Sequence, residues 1–149
     1  MGLGVEAVPS IGSCVAGLLF GTAWLLWIDG VAFAGAEYGQ AVNGAYWIPG
    51  ILQTIGFFGV NLINWSLMTD ESMMDEEGVA GKVKAWVFVS FVFCFSGLIG
   101  AVWILVQEMQ HPSWEAGAVD TAVRCLLQNC LLFGSSLLFR AVRTGGSDV

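Results

Sequence analysis

The residue in this sequence with the clearest capacity for chemistry is an acid at the end of a long apolar run. Residues 7–28 carry no charge, and Asp29 follows directly after them. A run of this length and composition is typical of a transmembrane helix. An ionisable group beside the hydrocarbon core is costly, and it often marks a proton or ion path. The first hypothesis for Asp29 is therefore a conducting or catalytic acid.

A second set of polar residues lies in a segment near the carboxyl end that mixes polar and apolar residues. Asp120 and Arg124 are four residues apart with the acid first, which is the order that favours an ion pair on a helix. Gln128 and Asn129 follow, about 18 Å along a helix that begins at Ala116, near the middle of a ~30 Å hydrocarbon core. Side-chain amides at that depth must face other helices or water.

The other residue types that catalyse reactions are isolated in the sequence. His111 is the only histidine, and it falls in a short turn with no nucleophile pattern beside it. The cysteines all lie inside predicted helices, so they are interpreted as small apolar packing residues and not as a disulfide framework or a metal site. We expect no enzymatic activity, no cofactor and no bound metal. The cysteines are Cys14, Cys94, Cys125 and Cys130.

The elements that must position these residues are predicted to be membrane helices. The 149 residues are 56% hydrophobic and 11% charged, whereas a soluble domain carries about 25% charged residues. The charge-free stretches predict an all-α membrane protein, a single domain built as a four-transmembrane-helix bundle. Its helices are placed at about residues 11–34, 46–68, 85–107 and 116–139.

The basic residues predict the orientation of this bundle. With four spans, Lys82, Lys84, Arg140 and Arg143 share one side, and the other side has no Lys or Arg outside the fourth helix. The positive-inside rule counts basic residues and largely ignores acids, so the five acids between residues 70 and 77 do not change the assignment. Both termini are expected to be cytosolic. The net charge of −7 argues against nucleic-acid binding, which needs a basic face.

Small residues predict two faces at which helices approach one another closely. Gly17 and Gly21 lie four residues apart on the first helix, and Gly97 and Gly100 lie three apart on the third. In lipid, small residues at such spacings let two helix backbones come together. These four glycines are therefore candidate helix-packing residues.

Three surroundings for Asp29 remain open at this point. Arg124 pairs with Asp120 on its own helix, or it pairs with Asp29 if the first and fourth helices are adjacent. In the third arrangement Asp29 begins the following loop and faces interfacial water. Trp24 and Trp27, just before Asp29, are expected at the same interface with one end of each indole in water.

The buried polar side chains allow two kinds of function. Asn61, Gln128 and Asn129 can hydrogen-bond between helices, worth ~0.6 kcal/mol or somewhat more per contact. Alternatively, they line a transport path together with Asp29. Asp29 lies about 27 Å along the first helix and hence at one end, which favours the structural interpretation. The leading hypothesis is a non-catalytic scaffold that pairs with another membrane protein; the alternatives are an accessory subunit of a large organellar complex and a small transporter.

Four segments of the sequence resemble a known family. They are AGLLFGTAWLLWID (16–29), TIGFFGVN (54–61), WVFVSF with GLIGAVWIL (86–105), and QN, FR and RT (128–144). In these segments the sequence is similar to the transmembrane protein 50 family, which includes the vacuolar protein sorting-associated protein 68 homologues. The similarity includes Asp29 and Asn61, but not Asp120 or Arg124.

The resemblance implies where the protein works and with what. It implies a small four-span protein of the endosome, Golgi or endoplasmic reticulum that takes part in late endosome-to-vacuole or lysosome sorting. It also implies membrane lipids as surroundings and another four-span protein, of the leptin-receptor-overlapping-transcript type, as partner. No enzymatic activity is implied.

Overall fold

A computed structural model describes residues 7–63, 78–113 and 117–145, and these residues are almost entirely helical. No β-strand occurs within these three ranges, which confirms the all-α class. The helices are α1 (Ala7–Tyr38), a 3₁₀ turn (Gly44–Trp47), α2 (Ile48–Leu62), α3 (Val79–Gln110) and α4 (Ala118–Gly145).

Three of the four helices are long and apolar enough to cross a bilayer. The candidate spans are Ile11–Tyr38, Gly81–Gln110 and Ala118–Arg143, with 28, 30 and 26 residues. At 1.5 Å per residue each exceeds a ~30 Å hydrocarbon core. Only 17% to 39% of the most apolar stretch of each span is buried inside the bundle. The remaining apolar side chains face outwards, as lipid-facing residues do.

The second helix is shorter in the structure than the predicted range 46–68. α2 has 15 residues, or about 22 Å, which is less than a hydrocarbon core. Pro49 lies in the first turn of α2, where a missing N–H is tolerated. Ile63 has an extended backbone, and residues 64–68 lie outside the described part of the chain. The described residues therefore contain three candidate spans.

Glycines in the left-handed conformation mark three helix boundaries that differ from the predicted ones. Gly39 follows α1, Gly78 precedes α3 and Gly117 precedes α4, with φ of 62°, 93° and 84°. Residues with a side chain disfavour such φ values, so glycine is favoured at a helix boundary that requires them. Because the helices run on to these glycines or start directly after them, α1 and α3 are longer than the predicted ranges 11–34 and 85–107. Lys82 and Lys84 consequently lie within α3.

The four helices run up and down, and α4 contacts each of the other three. α1 packs most extensively on α4, and α2 on α3, while α4 also packs on α2 and α3. The hydroxyl of Ser135 on α4 donates to the Ala16 carbonyl of α1 at 2.7 Å. The Phe95 ring of α3 lies 5.6 Å from the Phe133 ring of α4. α4 is therefore the helix around which the bundle is assembled.

Small residues bring α2 and α3 into close contact. An added Cβ on Gly97 would lie 2.7 Å from the Pro49 carbonyl oxygen, and one on Gly100 would lie 3.4 Å from the Pro49 ring. Two glycines on α2 complete the contact, since a Cβ on Gly56 would collide with Cys94 and one on Gly59 with Ser90. Cys94 is thus a packing residue, and all four cysteines of the chain are free.

The glycines of α1 divide into two groups. A Cβ on Gly12 would collide with Val142 of α4, and one on Gly30 would lie 2.6 Å from the Arg124 side chain. Gly17 and Gly21, in contrast, have no neighbour within 4 Å of the position that a Cβ would occupy. No described residue of another helix lies against α1 at these two positions.

We predict that Gly56→Ala destabilises the bundle and that Gly21→Ala does not. The added methyl group at Gly56 would lie 2.8 Å from the backbone nitrogen of Cys94, so two helices must move apart. Such overpacking costs about 1–3 kcal/mol. The midpoint of thermal unfolding in detergent measures the difference. Equal midpoints for the two variants would show that α2 and α3 are not in close contact.

Candidate functional site

Asp29, Asp120 and Arg124 meet at one end of the bundle, which we call the Asp29 end. Arg124 Nε donates to Asp120 Oδ2 at 2.9 Å, and Arg124 Nη1 donates to Asp29 Oδ2 at 3.4 Å. Both pairings considered from the sequence are therefore present, with the shorter one inside α4. Gly30 makes room for the arginine side chain, and the guanidinium lies 5.4 Å from the centre of the Phe33 ring.

This ion cluster is largely open to its surroundings. The side chain of Asp29 is 78% exposed and that of Asp120 is 48% exposed, whereas Arg124 is 24% exposed. Exposed ion pairs contribute about 0–1 kcal/mol. Asp29 lies on α1, nine residues before its end, and Arg124 lies near the start of α4, so the geometry favours a role in holding α1 against the first turns of α4.

A second cluster at the Asp29 end was not predicted from the sequence. Glu108 is buried at the end of α3, where it accepts a hydrogen bond from the Tyr46 hydroxyl and one from the Ser113 backbone N–H at 2.7 Å. The contact ties the turn before α2 to the last turn of α3. The available signal was the same as for Asp29, since Glu108 is the first charge after a long charge-free run.

Fully buried amide side chains form a polar layer at the middle of the bundle. We define this central amide layer as Gln53, Gln128 and Asn129. Gln128 faces α2 at Gly50, where an added Cβ would lie 2.8 Å from Nε2, so a side chain at this position would displace the Gln128 amide. Neither amide atom of Gln128 has a hydrogen-bond partner among the described residues. Asn129 Nδ2 donates to the Cys125 carbonyl of its own helix at 2.9 Å.

Gln53 is not among the candidate residues from the sequence, yet it is fully buried between three helices. With its amide oriented to suit its neighbours, it donates to the Cys94 carbonyl of α3 and accepts from the Phe133 N–H of α4 at 3.3 Å. A glutamine in an otherwise apolar stretch of α2 is the signal that identifies it.

Asn61 lies away from the central amide layer, towards the opposite end of the bundle. Its Nδ2 donates to the Phe57 carbonyl at 2.9 Å and to Ser136 Oγ of α4 at 3.4 Å. Its backbone carbonyl accepts from Arg143 Nη1 at 2.6 Å. Asn61 therefore joins α2 to α4, and Arg143 supplies a cation at the carboxyl end of α2, where free carbonyls favour positive charge.

The expectation that both tryptophans have one wet end was wrong for Trp27. Trp27 is fully buried against Ala101 and Cys125, and its Nε1 has no solvent access. Trp24 Nε1 donates to Thr54 Oγ1 of α2 at 3.2 Å. Both indoles contact neighbouring helices, Trp24 at Thr54 of α2 and Trp27 at Ala101 of α3 and Cys125 of α4. A one-dimensional pattern does not reveal such contacts between helices.

The candidate residues occupy three separate levels and do not converge on one point. Arg124 lies at the Asp29 end, Gln128 and Asn129 lie at the middle, and Asn61 meets Ser136 further on. From Arg124 to Ser136 the distance along α4 is about 18 Å. Within the part of the chain that the structure describes, no three His, Cys, Asp or Glu side chains are grouped so as to hold a metal ion. The arrangement is suited to joining helices at successive depths.

We predict that Arg124 couples more strongly to Asp120 than to Asp29. The Asp120 contact is 0.5 Å shorter, as 3.4 minus 2.9, and its partners share one helix. A coupling of about 0.3–0.5 kcal/mol is expected for such a helical pair. The coupling free energy of Arg124 with each acid is measured by double-mutant cycles in detergent, which combine Arg124→Gln with Asp120→Asn and with Asp29→Asn. A larger coupling free energy with Asp29 than with Asp120 would contradict the geometry.

We also predict opposite responses from two buried polar residues of α4. Ser135→Ala removes the hydrogen bond to Ala16 and lowers stability by ~0.6 kcal/mol, with ~1.7 as an upper bound. Gln128→Leu removes a buried amide that has no partner among the described residues, so stability stays equal or rises. Reversible unfolding in detergent micelles provides both values. If Gln128→Leu loses more than Ser135→Ala, the Gln128 amide does stabilise the fold.

Comparison with known proteins identifies the family. The model of the uncharacterised protein family UPF0220 matches residues 4–148. A transmembrane protein 50 homologue of Dictyostelium discoideum is 33% identical over 138 residues, which cover 87% of this chain and 88% of that protein. A UPF0220 protein of Schizosaccharomyces pombe is 22% identical over 130 residues, covering 85% and 76%. No solved structure matches significantly. This chain is a membrane protein that belongs to the transmembrane protein 50 family, UPF0220.

Proposed function

We propose that this chain is a non-catalytic, four-span membrane subunit that pairs with another multi-span membrane protein in late endosome-to-vacuole or lysosome sorting. The observation that carries the proposal is the outward face of α1, where Gly17 and Gly21 have no neighbour within 4 Å of the place that a Cβ would take. We call this the α1 glycine face. The family resemblance supports the endosome, Golgi or endoplasmic reticulum as the location.

The contrast with the other glycines supports an external partner for this face. Gly56 and Gly97 each lie so close to the backbone of a neighbouring helix that a methyl group would not fit. Lipid offers no hydrophobic drive for helix association, so close packing at small residues is what holds helices together there. The α1 glycine face has two glycines four residues apart, and no described helix lies against it. A helix from another protein can pack there in the same way.

The basic residues support a four-span arrangement with both termini in the cytosol. Lys82, Lys84, Arg140 and Arg143 lie at the end of the bundle opposite the Asp29 end, which has Arg124 as its one Lys or Arg in the described residues. Basic residues remain on the cytosolic side during insertion. Tyr46, just before α2, contacts Glu108 at the Asp29 end, and Asn61, in the last turn of α2, binds Arg143 near the opposite end, which supports a crossing by α2.

A partner of the leptin-receptor-overlapping-transcript type fits this proposal, since it would supply further membrane helices. An accessory role in a larger organellar complex would use the same face, and the mass of the native complex distinguishes the two. The transport alternative is favoured by one observation, the buried amide of Gln128 without a partner among the described residues. Proteoliposome flux that is unchanged by Gln128→Leu would end that alternative.

We predict that Gly17→Leu and Gly21→Leu abolish recovery of the membrane partner without unfolding the chain. A leucine at either position begins in open space within this bundle, but it keeps a second helix from approaching α1. The measurement is affinity purification of the tagged full chain from native membranes in mild detergent, with quantification of co-purifying membrane proteins.

The matched control is Gly134→Leu on α4. Gly134, like Gly17 and Gly21 of α1, has no neighbour within 4 Å of the position that a Cβ would occupy. Its recovery of the partner should equal that of the unmodified chain. Equal recovery by all three variants would show that pairing uses a different face. Recovery of the chain alone, in every variant and in native lipid, would contradict pairing itself.

A further inference from the structure

A groove of about 370 Å³ runs along the outer surface between α2 and α3. Its walls are large apolar side chains that remain about half exposed or more, such as Phe58, Leu62 and Trp86. Its volume lies in the range of about 300–1,000 Å³ that is usual for sites of small molecules.

The polar groups that border this groove are already satisfied. Trp86 Nε1 donates to the Gly59 carbonyl at 3.0 Å, which binds α3 to α2 across the groove. Ser90 Oγ donates to the Trp86 carbonyl at 2.8 Å. A polar ligand would find no unpartnered donor there among these groups. The groove therefore favours a hydrocarbon chain.

One end of the groove lies beside a basic residue. Lys82 precedes Trp86 by four residues and so lies on the same side of α3, about 6 Å nearer the helix start. It is exposed. Lys84 is two residues from Trp86 and points to a different side of the helix. Lys82 thus stands at the level where the phosphate of a lipid whose chain fills the groove would lie.

We propose that the α2–α3 groove binds one alkyl chain of an anionic glycerophospholipid, with its phosphate beside Lys82. The apolar walls of the groove favour an alkyl chain, and the ammonium group of Lys82 favours a headgroup with net negative charge. This lipid site goes beyond the sorting role, since it requires only that the protein lies in a bilayer.

The test is native mass spectrometry of the full chain released from nanodiscs that hold equal phosphatidylserine and phosphatidylcholine. One phosphatidylserine should stay bound after mild removal of detergent and bulk lipid. Val89→Trp fills the groove and should lose it, whereas Val92→Trp, similarly exposed on α3 but outside the groove, should keep it. Circular dichroism checks that both variants are folded.

A second pair of variants tests the headgroup without altering the groove. Lys82→Gln should lower the preference for phosphatidylserine about fivefold, the effect of one surface charge on an anionic lipid. Lys84→Gln should leave it unchanged. Equal retention of the two lipids, or equal effects of Lys82→Gln and Lys84→Gln, would overturn the headgroup assignment. Equal retention in Val89→Trp and Val92→Trp, or a lipid-free dimer, would overturn the groove as the site.

Discussion

A polar side chain at membrane depth has no water to bind, so it must face another helix. This constraint organises the bundle around α4, which carries the densest set of buried polar residues. Ser135 binds α1, Ser136 accepts from Asn61 of α2, and Gln128 packs on Gly50 of α2. Each contact lies at a different depth along α4. The polar residues therefore hold helices in register, and they do not combine into a single reactive centre.

Close approach of the helices depends on the same positions being small. The Gln128 amide lies against Gly50, and the Arg124 side chain passes Gly30 on its way to Asp29, so a side chain on either glycine would displace the polar group beside it. Polar contacts between helices therefore lie at the same positions as small-residue packing. On the α1 glycine face the small residues are present, but no helix of the described chain lies against them. That difference is the structural reason for assigning the face to a partner protein.

The sequence predicts some of these features because they depend on composition along the chain. Charge-free runs locate the long helices, because a hydrocarbon core excludes charged side chains over the length of a span. The choice between Asp29 and Asp120 as partner of Arg124 depends on which helices are adjacent, so the pattern left it open, and the structure contains both contacts. The burial of Trp27 and of Glu108 likewise requires the packing of helices that are distant in the sequence.

Site-directed photocrosslinking in native membranes tests most directly whether the α1 glycine face binds another protein. A photoreactive residue at Leu18 lies beside Gly17, and one at Ile99 on α3 is a matched control, since these residues are 65% and 67% exposed. The expected result is an adduct of defined mass with one membrane protein from Leu18 and only lipid adducts from Ile99. Only lipid adducts from both positions would contradict the pairing role.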